Sequence, residues 1–168
     1  MIQIHTFDSP LGPLTASERG GRICLLHFCP DGPEIDGMFD RWYPGEPRVR
    51  QHLALTDRVL RRYFGGELTA LDEVAVELNG TSFQKQVWQA LRRIPSGTTI
   101  SYAELARRIG NPSAIRAVGT ANGANPVAII VPCHRVIGSD GSLTGYGGGL
   151  DRKHWLLTHE GVAPSRLF

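Results

Sequence analysis

The apolar positions of this chain change period near its middle. Ile2 and Ile4 alternate with polar residues, a second short run covers Leu14 to Ala16, and a third spans Ile23 to Phe28. Pro10-Leu11-Gly12-Pro13 and Gly20-Gly21 form turns between them, so the three runs predict an antiparallel meander. Residues 30–50 are rich in Pro, Gly and charge and predict a mobile loop. Leu53, Val59, Leu60, Tyr63 and Phe64 fall roughly on one face of a helix that Gly65-Gly66 ends. Val74, Val76 and Leu78 alternate as one more strand, and Asn79-Gly80 marks a domain boundary. Residues 1–79 therefore read as an α/β domain.

Beyond that boundary, over residues 80–168, the period becomes helical. Thr81-Ser82-Phe83-Gln84 fits a capping box ahead of a stripe of Phe83, Val87, Leu91 and Ile94. Pro95-Ser96-Gly97 breaks this helix. Ser101-Tyr102-Ala103-Glu104 fits a second box, opening a short helix that turns Leu105 and Ile109 inward. Gly110-Asn111-Pro112 is a tight break, with Asn111 suited to the N-cap and Pro112 to the first helical position. A third helix is expected from about Pro112 to Asn122, completing a helix-turn-helix. Ile115 and Val118, with Asn122 one turn further on, can face its core. The opposite side presents Arg116, Gly119, Thr120 and Gly123, a face small enough to let backbone approach a narrow groove closely. The same pattern also suits a helix packed on another helix with Arg116 in solvent.

An apolar, mostly β-branched run from Val127 to Val131 ends in Pro132-Cys133-His134-Arg135-Val136. It reads as a short buried strand or core segment. Pro132 has no N–H to donate and stops regular pairing, so Cys133 is delivered at a chain reversal on the edge of a core. A thiol beside an imidazole in such a place is a candidate activated nucleophile. In an extended strand the two side chains would point oppositely, so either the chain turns or a water links them. Glu160 is expected in the last turn of a helix from about Leu150 to Gly161, where a carboxylate faces the negative end of the helix dipole. A local rule broken in this way hints at function.

Bulk properties narrow the field. The 168 residues carry a net charge of +2, three cysteines at irregular spacing, no apolar run long enough to cross a bilayer, and no signal-peptide pattern at Met1 to Asp8. A reducing cytoplasm is the default for such a chain. The charge is unevenly split: residues 1–81 hold eight basic and twelve acidic side chains, residues 82–168 ten and four. The second part is thus suited to meeting a polyanion. Cys24, His27, Cys29 and His5 raise the question of zinc. Cys24 would lie on the strand face opposite His27 and Cys29, which makes a shared tetrahedral site awkward, so no metal is expected.

Arg116-Ala117-Val118-Gly119-Thr120-Ala121-Asn122-Gly123-Ala124-Asn125-Pro126, then Pro132-Cys133-His134-Arg135-Val136-Ile137-Gly138, resemble the methylated-DNA–protein-cysteine methyltransferases, or O6-alkylguanine-DNA alkyltransferases. The likeness runs on through Gly141-Ser142-Leu143-Thr144-Gly145-Tyr146-Gly147-Gly148-Gly149 to Lys153 and Leu156-Leu157-Thr158-His159-Glu160-Gly161, covering essentially all of residues 81–161. In the N-terminal half only Asp8-Ser9-Pro10-Leu11-Gly12 adds to it. The resemblance implies an N-terminal ribonuclease-H-like α/β domain (1–79) and a mainly helical C-terminal domain (80–168) with a winged helix-turn-helix. It implies irreversible repair of O6-alkylguanine, and less efficiently O4-alkylthymine, in double-stranded DNA, by a monomer able to bind cooperatively. Cys133 would accept the alkyl group, with Asn125, His134 and Glu160 activating it. Tyr102 and Arg116 would work at the flipped nucleotide. Val136, Tyr146 and Gly147 would line the base pocket, and Asn111 and Ser139 would touch the DNA backbone.

The chemistry suits these residue types. A soft thiolate displaces well at a saturated carbon, and a Cys133–water–His134–Glu160 relay would have the nucleophile–base–orienter form. A base inside a duplex is unreachable, so it must be extruded, with Arg116 filling the gap. Guanine leaves well only if its developing charge is met by a proton, which the Tyr102 phenol can supply. Gly147-Gly148-Gly149 brings backbone amides close to a base edge. A thioether is not released by water, so turnover stops at one, and no cofactor is needed. Two other readings fit parts of the pattern: a non-enzymatic lesion binder, which would dispense with Cys133, and a cysteine hydrolase, which would turn over repeatedly.

Overall fold

In the computed structural model, which describes residues 1–162, the chain divides into two compact units. One holds Met1–Asn79 together with Pro126–Ala128, and the other holds Gly80–Asn125 and the described residues from Ile129 onward. Together they make a mixed α/β protein with small sheets and short helices.

The first unit is built on the expected meander. Strands β1 (Ile2–Phe7), β2 (Leu14–Arg19) and β3 (Arg22–His27) pair antiparallel, with a register shift at Ser17/Glu18. Residues 30–50, expected as a loop, instead form helix α1 (Pro33–Trp42) and strand β4 (Arg48–Arg50), which pairs parallel with β1. The reason is visible in the sequence. Ile35, Met38, Phe39 and Trp42 recur at helical spacing, and Pro33 occupies the first turn, where its missing N–H costs nothing. That stripe packs against Ile2, Ile4, Cys24 and Leu25, so tertiary burial outweighs the Gly and charge content. Helix α2 (Ala54–Phe64) forms as the periodicity implies, burying Val59, Leu60 and Tyr63.

The expected strand over Val74 to Leu78 does not form. Leu68–Glu73 is a 3-10 helix, and residues 74–78 make a single parallel bridge, Val76 to Ile23. Alternation supplies a strand only where a partner runs alongside for several residues. Further along β3, the Leu26 N–H donates to the Pro126 carbonyl at 3.0 Å and the Ala128 N–H to the Leu26 carbonyl at 3.0 Å. These two short attachments occupy the outer edge of the sheet, which would otherwise offer unpaired backbone.

The second unit is helical. Helix α3 (Ser82–Leu91) starts with the full capping box: Thr81 Oγ1 accepts from Gln84 N–H, and the Gln84 side chain accepts from Thr81 N–H. Val87, Trp88, Leu91 and Ile94 are buried, and the Trp88 indole donates to the Ala121 carbonyl at 2.8 Å. Only half of the second box exists. Ser101 caps helix α4 (Tyr102–Arg108), while the Glu104 carboxylate turns to Arg107 and Arg108. Helix α5 (Ile115–Gly123) begins three residues later than expected. Asn111 instead organises a turn, accepting the Ser113 hydroxyl on its side chain and the Ala114 N–H on its carbonyl. The later start rotates Ile115 outward to 44% exposure, leaving Val118, Ala121 and Asn122 as the buried face. Strands β5 (Ile100–Ser101) and β6 (Val136–Ile137) pair parallel, and helix α6 (Leu150–His159) closes the unit.

Candidate active site

The run Val127–Val131 is buried throughout but is a turn rather than a strand. Within it Ile129 adopts φ 69°, a left-handed conformation that β-branched side chains resist. Such a residue costs about 1–3 kcal/mol and persists only where its surroundings over-determine it. Full burial of Ile129 among apolar neighbours supplies that constraint. The chain then passes Pro132 into a single 3-10 turn, Cys133–Arg135, closed by the Arg135 N–H donating to the Pro132 carbonyl at 3.0 Å. The chain therefore turns at this point. Side chains on a 3-10 turn step by about 120°, so Cys133, His134 and Arg135 point in three directions into one core. All three are buried.

Each finds a different partner. The Cys133 thiol is hydrogen-bonded to the Asn125 side chain, whose Nδ2 also donates to the Val131 carbonyl at 2.7 Å. His134 Nε2 lies 2.9 Å from Glu160 Oε2. Arg135 grips the same carboxylate through Nε at 2.8 Å and a terminal nitrogen at 2.9 Å, and donates as well to the Ile94 carbonyl and the Ser96 hydroxyl. Glu160 is the C-cap of α6, and the dipole penalty noted for it is met by these two partners. Fully buried Lys153 donates to the Val136, Thr144 and Gly145 carbonyls at 2.7, 2.9 and 3.4 Å.

The electrostatics follow from burial and company. Burial by itself would raise the Glu160 carboxyl, but the His134 ring and the Arg135 guanidinium outweigh it and hold it well below the usual carboxylate range. Glu160 is therefore ionised and can only accept, so His134 Nε2 carries the hydrogen. Burial lowers the His134 pKa despite Glu160, leaving a neutral ring whose Nδ1 is a bare acceptor. Burial pushes the Cys133 thiol up, opposed by the Asn125 hydrogen bond and the Lys153 charge. Burial also pushes Lys153 down to about 8. The resting site thus holds a neutral thiol beside a neutral base, with Arg135 neutralising Glu160.

Cys133, Asn125, His134 and Glu160 come together as one cluster. Val136 is buried next to them and lends its carbonyl to Lys153. Tyr102, half-buried at the start of α4, donates its hydroxyl to the Thr144 carbonyl at 3.3 Å and lies against Gly119, where an added Cβ would meet its ring at 3.8 Å. Tyr146 is half-buried in the 141–149 loop and Gly147 is exposed there. Arg116 projects from the exposed face of α5, while Asn111 and Ser139 are exposed in turns. Sequence reading passed over Arg135, Lys153 and Asn122 as site residues. Two of them carried a signal: Lys153, Leu156, Leu157 and Glu160 form one helical stripe, placing charge at core-facing positions, and Arg135 sits inside an apolar segment.

A buried cysteine followed by a histidine hydrogen-bonded to an ionised carboxylate has the residue types that a cysteine nucleophile with a base and an orienting acid would need. The second unit matches the family described as "6-O-methylguanine DNA methyltransferase, DNA binding domain" over residues 82–162. The methylated-DNA–protein-cysteine methyltransferase of Salmonella typhimurium is 57% identical over 158 residues, covering 91% of this chain and 92% of its own. The crystal structure of Mycobacterium tuberculosis O6-methylguanine methyltransferase superposes with a TM-score of 0.82 at 45% identity, covering 100% of this chain and 96% of that one. A structure of the M. tuberculosis protein in complex with DNA gives 0.81 at 44% identity, covering 98% and 94%. The chain belongs to the methylated-DNA–protein-cysteine methyltransferase family.

Proposed function

We propose that this protein repairs DNA directly, transferring the alkyl group of O6-alkylguanine to Cys133. The buried Cys133–His134–Glu160 arrangement carries this reading. The base leaves the duplex stack and enters a pocket formed by Val136, Tyr146 and Gly147, while α5 lies in the minor groove and Arg116 occupies the vacated position. Asn111 and Ser139 hold flanking phosphates. Exposure of Arg116 and the lack of bulk at Thr120 and Gly123 support that use of α5.

Chemistry begins from the neutral pair. The Cys133 proton passes through a bridging water to His134 Nδ1, and Glu160 stabilises the imidazolium that forms. The thiolate attacks the alkyl carbon and a C–S bond forms. The C–O bond breaks with its electron pair moving to guanine, which takes a proton from the Tyr102 phenol. Asn125 fixes the thiol direction, and the Lys153 charge favours the thiolate. The product thioether has no hydrolytic exit, so each molecule acts once. O4-alkylthymine is a poorer substrate. The working form is a cytoplasmic monomer, its 1–79 domain ribonuclease-H-like and its 80–168 domain a winged helix-turn-helix.

Titrating duplex DNA bearing a labelled O6-methylguanine with the protein tests this. The label should saturate at one methyl per chain and map by mass to Cys133. Label on another side chain, or continued release of product beyond one equivalent, would overturn the proposal.

A further inference from the structure

Two buried acceptors adjoin Cys133 with no protein donor among the described residues. Asn122, on the inward face of α5, is 4% exposed, and its Nδ2 lies 3.4 Å from the Cys133 carbonyl. That carbonyl can only accept, which fixes Nδ2 as the donor and turns Oδ1 to the other side. Asn122 Oδ1 finds no hydrogen-bond partner among the described residues, and neither does His134 Nδ1. With Nε2–H committed to ionised Glu160, His134 Nδ1 is an acceptor too. Leaving two acceptors dry inside a core is costly, and a single water carries two hydrogens.

We propose that Asn122 is a positioning residue for Cys133: its amide oxygen and His134 Nδ1 together hold one water whose remaining lone pairs face the thiol. The inference rests on the reading of Cys133 as the alkyl acceptor. A water held by Nδ1 alone can swing its second hydrogen toward sulfur and present no lone pair there. Asn122 Oδ1 takes that hydrogen and so keeps the water in the orientation that accepts a proton. In the transfer the S–H bond breaks and its electron pair stays on sulfur. The proton joins the water oxygen while a water hydrogen passes to Nδ1, giving one thiolate, one imidazolium and the same water still bonded to Asn122. The other charged or polar side chains facing this step are Glu160, Arg135, Lys153 and Asn125.

The test compares wild-type protein with Asn122→Leu, which keeps the volume and removes the acceptor. Methyl transfer from O6-methylguanine duplex is followed across pH, with thiolate formation read by ultraviolet absorbance and duplex affinity measured in parallel. Asn122→Leu should transfer about tenfold more slowly at neutral pH, the worth of one hydrogen bond in a buried site. The midpoint of its pH–rate profile should rise by about one unit, with the deficit recovering in alkali and duplex affinity unchanged. An unmoved midpoint, whatever the rate, would overturn the role of Asn122. Should Asn122→Leu fail to fold, Asn122→Ala carries the same measurement with the same two readings. Failure of the wild-type protein to methylate Cys133 would instead remove the functional reading on which this rests.

Discussion

Each unit of the molecule buries cysteine, and the surroundings differ in kind. In the sheet, the Cys24 thiol is pushed up by burial, with Glu77 adding to it, against a hydrogen bond shared with Ser17 Oγ at 3.2 Å, the Tyr43 hydroxyl and the Arg19 cation. Cys29 is pushed up to about 11 by burial together with Glu34 and Asp31. Cys133 is also pushed up by burial, but no carboxylate adds to it: a hydrogen bond from Asn125 and a cation at Lys153 both oppose burial, and a neutral imidazole stands next in the chain. Burial by itself therefore does not distinguish the three cysteines. The difference lies in whether the neighbours favour the charged form and can receive a proton.

That contrast can be broken most directly by exchange. Cys133→Ser should reduce methyl acceptance to background, whereas Cys24→Ala and Cys29→Ala should retain one methyl per chain, measured by intact mass after incubation with alkylated duplex. Methyl acceptance lost in Cys24→Ala or Cys29→Ala would mean that sheet thiols take part. The next largest effect concerns the base and its support. Glu160→Gln should slow transfer by about a hundredfold, the lower end of general-base contributions. Arg135→Met leaves Glu160 buried without its strongest cation and should cost about 3–5 kcal/mol of stability, read by denaturant titration. Equal kinetic losses in both variants with no change in stability would contradict the division of labour drawn between His134 and Arg135.

Arg116→Ala should sharpen the comparison from outside the cluster. Repair in duplex DNA should fall about tenfold, while transfer from free O6-methylguanine base stays unchanged, because nothing there needs extruding. The smallest effect is on acid stability. The His134 pKa is lowered from 6.5, so below that pH the unfolded chain takes up protons first and stability falls. The Glu160 pKa is lowered from 4.5, so its contribution is complete above that value and is lost as pH falls below it. Denaturation at stepped pH should show a decline beginning near 6.5 and steepening below 4.5, with Glu160→Gln flattening the second part.

Legibility varied with how far each feature depends on distant partners. The β1–β3 meander, α2, and the Thr81 capping box follow from alternation, spacing and cap chemistry within a few residues. Helix α1 was hidden because its apolar stripe is interrupted by Gly37 and flanked by Pro and charge, and only packing on Ile2, Ile4, Cys24 and Leu25 declares it. Val74 to Leu78 carried a strand pattern without a partner of matching length. Val127 to Val131 carried apolar residues whose period cannot distinguish a buried strand from a buried turn.

At the site, the sequence by itself determined the nucleophile candidate, its adjacent histidine, the carboxylate at the end of the last helix, and the small-faced helix with one arginine. Those are properties of residue type and local spacing. Only the tertiary structure decided that Arg135 shares Glu160 with His134, that Lys153 is sheathed in carbonyls, and that Asn122 turns its oxygen inward. Arg135 and Glu160 are 25 residues apart, so their pairing exists only once α6 is packed. Burial then removes water as a competing partner, so each of these charges depends on its protein neighbours alone.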